Sequence, residues 1–434
     1  MHPRTLIGAS LMSTCLTISA SANALSNAAR PGDVGFSSER LQRLTNAVQT
    51  DVDKGLLPGA VTLIARHGKV AYFEAIGFQD REKHLPMKTD AIFRIASLSK
   101  PITSVALMML VEEGQVQLED PVSAYLPELR NLQVGVEKVA ANGGRESTYE
   151  PARRDPTLQD LLRHTSGFTY GQYGKSLVKQ AYLDSRLQDE NQPQAEFIAK
   201  LAKLPLASHP GTTWDYGVSV DVLGRIVEVV SGMALDQFVA ERITKPLGML
   251  STGYAVAGEK LARLAEPQTD PATGQRPQMR NVNRRPNFLN AGGGMVSTVL
   301  DYARFSQMLL NGGALEGERL LSPRTVSYMA TDHLPADVKY DSYYATNADW
   351  NMVSPTPERG YGFGLGFAVR KARGLHPAPG SKGEFYWIGA TGTAFWIDPR
   401  EQLIAVWMSQ IPWSQSGHYR SLLRNMVYQA LVNT

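Results

Sequence analysis

The sequence predicts an α+β fold: one antiparallel sheet flanked by an N-terminal and a C-terminal helix, with a mostly helical subdomain inserted between the two halves of the sheet. Three observations point to it. Short β-rich runs cluster toward both ends of the chain, amphipathic helical patterns bracket them, and the long middle is dominated by helical periodicity broken by Pro- and Gly-rich connectors. The expected organisation is a leader over 1–24, a sheet unit from 34–96 plus 292–434, and an insert over 97–291. A cleft is expected at the junction, where ligands commonly bind.

The elements follow in order. His2 and Arg4 precede an apolar, serine-rich run from Leu6 to Ala20, and Ala20-Ser21-Ala22-Asn23-Ala24 supplies small residues at two cleavage registers, the pattern of a secretory signal peptide. The run is shorter than the roughly 20 apolar residues a membrane span needs. An exported protein, periplasmic or secreted and without stable membrane insertion, is therefore expected. The single cysteine, Cys15, falls inside the leader, which removes both a disulfide and a thiol nucleophile from the processed chain.

Ser37-Ser38-Glu39-Arg40 followed by Leu41, Leu44, Ala47 and Val48 reads as a capped amphipathic helix. Ala60 to Ala65 and Val70 to Ala75 are strand-like runs around the turn Arg66-His67-Gly68-Lys69. Further strands are expected at Phe363 to Val369, Phe385 to Gly389, Thr393 to Ile397 and Leu403 to Ser409, then a last helix from Tyr419 to Leu431. Helices are predicted in the insert at Thr103 to Glu113, Leu158 to Arg163, Ala195 to Ala202, Val220 to Val230 and Leu235 to Arg242.

Charge gives no partner. Lys and Arg number 44 against 41 acidic residues, a net +3 that creates no strong field for nucleic acid. The one basic cluster, Arg280, Arg284 and Arg285, is interrupted by asparagines and lacks interleaved aromatics, so it reads as a solvated loop. No two of the eight histidines lie within four residues of each other, and no metal-ligand spacing, glycine-rich phosphate loop or Gly-x-Ser-x-Gly elbow is found. Neither a metal nor a cofactor is expected. The oligomeric state is left open.

What remains is Ser97-Leu98-Ser99-Lys100 at the start of a helical run, with Pro101 allowed only near a helix N-terminus. Residues three apart share a helix face, so Lys100 can reach the Ser97 hydroxyl, and free N–H groups at the helix start suit an oxyanion. Ser176-Leu177-Val178-Lys179 has the same spacing without that context, and is expected to be two exposed helix residues.

The segment Phe93-Arg94-Ile95-Ala96-Ser97-Leu98-Ser99-Lys100-Pro101-Ile102-Thr103 resembles the nucleophile segment of class C β-lactamases, D-amino-acid peptidases and especially family VIII carboxylesterases. Ordered further matches extend the resemblance over nearly the whole mature chain: Leu158 to Gly167, Gly211 to Ser219, Pro246-Leu247-Gly248-Met249 and Gly292 to Thr298. The resemblance implies a β-lactamase/DD-peptidase-like fold with Ser97 as nucleophile and Lys100 and Tyr216 as proton-transfer partners. It also implies an oxyanion hole from the N–H groups of Ser97 and Ala390. Where the family usually has Lys/His-Thr-Gly, this chain has Trp387-Ile388-Gly389, and Val218 replaces the asparagine two places after the tyrosine. A tryptophan cannot pair with a substrate carboxylate, which weighs against β-lactams and resembles the esterases.

The expected substrate is thus a small-molecule ester, with Trp387, Gly389, Tyr170, Tyr343 and Trp350 as candidate pocket residues. Tyr173, Tyr340 and Tyr344 could wall the same pocket. Two alternatives stand beside it: a D-amino-acid peptidase, amide hydrolase or weak β-lactamase using the same groups, and a non-catalytic penicillin-binding-like sensor or scaffold.

Overall fold

The computed structural model describes residues 25–139, 144–270, 273–347 and 355–432. The predicted leader, Cys15 and Trp350 lie outside them. Among the described residues no helix is long and apolar enough to cross a membrane.

Helix α1 (Ser38–Asp53) begins where Ser37 accepts the Arg40 N–H, and it buries Leu41, Leu44, Val48 and Val52 along one stripe. It leads into a nine-stranded sheet. In chain order the strands are β1 (Ser26–Asn27), β2 (Gly59–Arg66), β3 (Lys69–Asp80), β4 (Leu85–Pro86), β5 (Tyr361–Phe363), β6 (Ala368–Arg370), β7 (Phe385–Gly389), β8 (Thr393–Asp398) and β9 (Leu403–Met408). Their spatial order is β1-β3-β2-β9-β8-β7-β6-β5, with β4 on β3. The two ends of the chain meet where β9 pairs antiparallel with β2, Leu403 opposite Arg66 through Met408 opposite Val61. Both are buried on every residue, as strands covered on two faces must be. The sheet is antiparallel except at its edge, where β1 runs parallel to β3.

The middle of the chain supplies α2 (Ser99–Glu112), α3 (Leu158–Leu162), α4 (Leu177–Asp184), α5 (Gln194–Leu201), α6 (Ser219–Ser231), α7 (Leu235–Val239), α8 (Val299–Leu310), α9 (Pro323–Met329) and α10 (Ser342–Thr346). The last helix is α11 (Trp413–Ala430). It packs beside α1 against the sheet, and Ser37 N–H donates to the Ala430 carbonyl at 2.9 Å. Helix α8 packs on β2, β8 and β9. Helix α2 is buried at every position from Ser99 to Leu110 and packs against α6 and α7, so it is a core helix rather than an amphipathic one.

Several expectations change. The run Phe363 to Val369 is not one strand: the chain reverses between β5 and β6, closed by the Gly364 N–H donating to the Phe367 carbonyl at 2.8 Å. The mostly helical middle region also contains a hairpin outside the predicted elements, Gln133–Val139 paired antiparallel with Arg145–Pro151. The helix predicted from Leu235 to Arg242 keeps its α form only to Val239 and continues as a π turn over Ala240–Thr244. The basic cluster is solvated at Arg284 and Arg285, which are exposed, but not at Arg280. Arg285 pairs with Asp236, and Arg280 is largely buried and donates to the Gly294 carbonyl.

A buried charged cluster joins the sheet to α11. Glu384, fully buried ahead of β7, pairs with Arg370 on β6 at 3.0 Å and with Arg424 on α11 at 2.7 Å, and accepts the Tyr361 hydroxyl at 2.8 Å. Removing one partner from a buried ion cluster leaves the others charged and uncompensated. Glu384→Ala is therefore expected to lower unfolding stability by about 3–5 kcal/mol, read as a lower urea midpoint. A midpoint equal to wild type would contradict this account.

Candidate active site

Ser97 sits in a short 3-10 turn, Ala96–Leu98, that runs directly into α2. The residue before it, Ala96, adopts φ 45°, a left-handed backbone that an alanine occupies only when its surroundings hold it there. Those surroundings are explicit. Ser99 Oγ donates to the Ala96 carbonyl at 2.7 Å and accepts the Met295 N–H at 3.0 Å. Thr391 Oγ1 donates to the Arg94 carbonyl at 2.6 Å, and Thr393 Oγ1 to the Ile95 carbonyl at 3.1 Å. Strand β7 and the turn after it thus lie directly against the serine turn. At Gly389 a Cβ would stand 2.1 Å from Thr393 Oγ1 and 2.4 Å from the Ile95 carbonyl, so only glycine lets the strand approach this closely. Ala390 follows, exposed, beside the turn that carries half-buried Ser97.

Lys100 lies one helical turn after Ser97 and is 2% exposed. Its amine donates to Ser97 Oγ at 3.3 Å, to Tyr170 OH at 3.2 Å and to the Gly292 carbonyl at 2.6 Å. It also lies 4.6 Å from the centroid of the Tyr216 ring. Burial pushes this amine down to about 7, opposed by the charge of Asp221.

Tyr216 follows the short strand Thr213–Trp214, which pairs with Lys339–Tyr340. Its phenol hydrogen-bonds to Ser97 and accepts the Trp387 indole N–H at 3.2 Å. Burial holds the phenol well above its ordinary pKa, with those two hydrogen bonds acting the other way. Tyr344 OH donates to the Tyr216 carbonyl at 2.8 Å. The ring is packed by His164 at 4.8 Å, Trp387 at 5.2 Å and Tyr170 at 5.5 Å between centroids. His164 is buried and kept uncharged chiefly by desolvation.

The structure therefore brings Ser97, Lys100 and Tyr216 together, with Trp387, Gly389 and Ala390 beside them. Tyr170, expected to wall a pocket, reaches the Lys100 amine. Trp387 spends its single N–H on Tyr216 and is 1% exposed, so it backs the phenol. Tyr343 stands further out, stacked on Tyr173 at 5.7 Å. The second Ser-x-x-Lys differs from its expectation: Ser176 caps α4, but Lys179 is 2% exposed and pairs with Asp341 at 3.0 Å and Asp215 at 3.6 Å. Its amine is turned away from solvent because Asp215 is itself buried and needs a counter-charge. Sequence reading assigned no role to Asp221 or Gly292, although Gly292 stands in a segment that resembles the family.

Tyr170 and Val218 also line a cavity of about 330 Å³ with Tyr182, Leu183 and Leu187. A larger cavity of about 590 Å³, between α8, α9 and strands β6 and β7, contains none of the groups that meet at Ser97. Among the described residues no cluster of side chains could hold a metal ion.

The chain matches the Beta-lactamase family over residues 44–424. It is similar to Protein Rv1367c of Mycobacterium tuberculosis (strain ATCC 25618 / H37Rv), 39% identical over 82% of this chain and 87% of that one. It is also similar to lovastatin esterase of Penicillium rubens, 30% identical over 82% of this chain and 90% of that enzyme. Among solved structures, EstCE1, a hydrolase with promiscuous acyltransferase activity, superposes with a TM-score of 0.73 at 26% identity, covering 90% of this chain and 99% of that one. The chain belongs to the Beta-lactamase family and is a serine hydrolase with esterases among its relatives.

Proposed function

We propose that this protein, exported to the periplasm or medium, hydrolyses carboxylic esters through an acyl-enzyme on Ser97. The observation that carries the reading is the 3.3 Å contact between Ser97 Oγ and a desolvated Lys100 amine. A buried amine whose pKa is pushed down to about 7 is partly neutral at that pH and can take a proton, which a solvated lysine cannot do there.

In this scheme Ser97 Oγ attacks the ester carbonyl and its proton passes to Lys100. As the tetrahedral adduct collapses, Tyr216 passes its proton to the departing alkoxide and regains one from the Lys100 ammonium, so that no tyrosinate, which burial makes unfavourable, persists. The N–H groups of Ser97 and Ala390 hold the oxyanion. Water then cleaves the acyl-enzyme by the reverse proton path. An ester is favoured over a β-lactam or D-Ala peptide because position 387 carries an indole whose only N–H is already bonded to Tyr216, leaving no cation there for a substrate carboxylate. The relatives' esterase names support the same choice.

Three outcomes test this. Ser97→Ala is expected to lower kcat on p-nitrophenyl acetate or butyrate by at least about 1,000-fold, with loss of the acyl-enzyme mass adduct. Retained turnover would refute the assignment. Tyr216→Phe should lower kcat by about 100-fold or more, and less for activated aryl esters than for alkyl esters, whose leaving groups need the proton. Equal losses on both would remove the general-acid role. Because neutral Lys100 is the active form, kcat/KM should rise with pH through a midpoint near 7; a profile flat from pH 5 to 9 would contradict that role.

A further inference from the structure

The buried carboxylate of Asp221 has no part in the scheme above, yet it faces the Lys100 amine. It lies in the first turn of α6, five residues after Tyr216, and is 1% exposed. Its Oδ1 accepts the Gly292 N–H at 3.0 Å, while Oδ2, also buried, accepts no hydrogen bond. Gly292 is the shared element, since its carbonyl accepts from Lys100 at 2.6 Å. A methyl group on Gly292 would stand 3.1 Å from Asp221 Oδ2, 3.1 Å from Lys100 Nζ and 3.3 Å from Tyr170 OH. Three polar groups therefore converge on one face of a glycine, where a side chain would crowd all of them.

The other groups around the carboxylate are accounted for. Tyr170, Tyr216 and Tyr254 all sense its charge, and burial holds each of their phenols neutral. His164, beside Lys100, is kept uncharged by burial. Arg280 lies on the far side, near Tyr254 and bonded to the Gly294 carbonyl. Lys100 is the cation that Asp221 couples to most strongly, and the coupling acts in both directions.

We propose that Asp221 is a positioning residue that holds the Lys100 amine in place through Gly292 and supplies the counter-charge for the ammonium formed when Ser97 loses its proton. This rests on the reading of Ser97 and Lys100 as nucleophile and base. The proton moves from Ser97 Oγ to Lys100 Nζ as the Ser97–carbonyl bond forms; when the adduct collapses and the bond from the carbonyl carbon to the alcohol oxygen breaks, it passes on through Tyr216 to the departing alkoxide. Burial raises the Asp221 carboxyl to about 6, opposed by the charge of Lys100, so above that pH it is ionised and it exchanges no proton in the reaction. The logic is that of the buried aspartate behind histidine in a Ser-His-Asp triad, which orients the base and stabilises its protonated form. An otherwise unpaired ammonium in this desolvated setting would resist formation.

The test compares Asp221→Asn with wild type in the full chain. Asparagine keeps an acceptor for the Gly292 N–H and removes the charge. The expected result is kcat lower on the order of 100-fold with KM little changed, the low end of what a positioned base contributes. In addition, the acid-side midpoint of kcat/KM should move down by about one pH unit or more, because the charge that raises the Lys100 pKa is gone. A midpoint unmoved from wild type overturns the proposal, whatever happens to kcat, because a purely structural role does not touch the titration of Lys100. If the asparagine variant does not fold, Asp221→Ser carries the same readout. Ser97→Ala run in parallel separates the two ideas. An active Ser97→Ala sinks the esterase scheme itself, whereas an inactive Ser97→Ala with an unmoved Asp221→Asn midpoint sinks only the role of Asp221.

Discussion

The arrangement of this molecule turns on taking one ammonium-bearing side chain out of water. A charged amine buried in apolar surroundings is strongly disfavoured, and the chain answers by shifting its ionisation rather than by giving it a direct ion pair. Lys100 can be dry only because α2 is enclosed on all sides. The helix packs against α6 and α7, the Ala291 to Met295 segment crosses it, and a ring of aromatics closes over the amine. The residues that enclose it are also those that hold Ser97 and Tyr216 in reach of each other.

That enclosure depends on the sheet. Pairing of β9 with β2 joins two segments more than 300 residues apart, and the neighbouring strands β7 and β8 are thereby held against the turn that carries Ser97. The left-handed Ala96 is the local consequence. Its backbone is retained because threonine hydroxyls from the sheet and the Ser99 hydroxyl hold the peptides around it. Distal packing matters in the same way: the Arg370–Glu384–Arg424 cluster anchors α11 to the strands that carry Trp387 and Gly389.

Family membership and site chemistry carry different information. The Beta-lactamase family match covers residues 44–424 and accounts for the architecture, while the proposed preference for uncharged esters rests on the indole at position 387. The indole does more than occupy the space of a cation. By donating to the Tyr216 oxygen it fixes the phenol, so the same replacement that removes a carboxylate partner adds a constraint on the proton donor.

Much of this was legible in the linear sequence. Continuous β-rich apolar runs bounded by turn residues located β2, β3, β7, β8 and β9, and helical periodicity located most helices, because burial selects apolar side chains without reference to the partner. The run from Phe363 to Val369 misled because an apolar stretch does not record where the chain reverses. Ser-x-x-Lys spacing identified a serine and lysine on one helix face, but the same spacing at Ser176 gave a cap and a buried ion pair. Tyr216 was reached through resemblance, since no local rule ties a tyrosine to a serine 119 residues earlier. Asp221, the use of the Tyr170 hydroxyl and the crowding at Gly292 were decided by tertiary structure alone. They depend on which polar atoms are left facing one another once water is excluded, and desolvation is a property of the packed molecule. Sequence by itself determined most of the elements, the fold class and the residues proposed to carry acyl transfer; only the folded chain decided which ionisable groups would be dry, because burial depends on every segment packed around them.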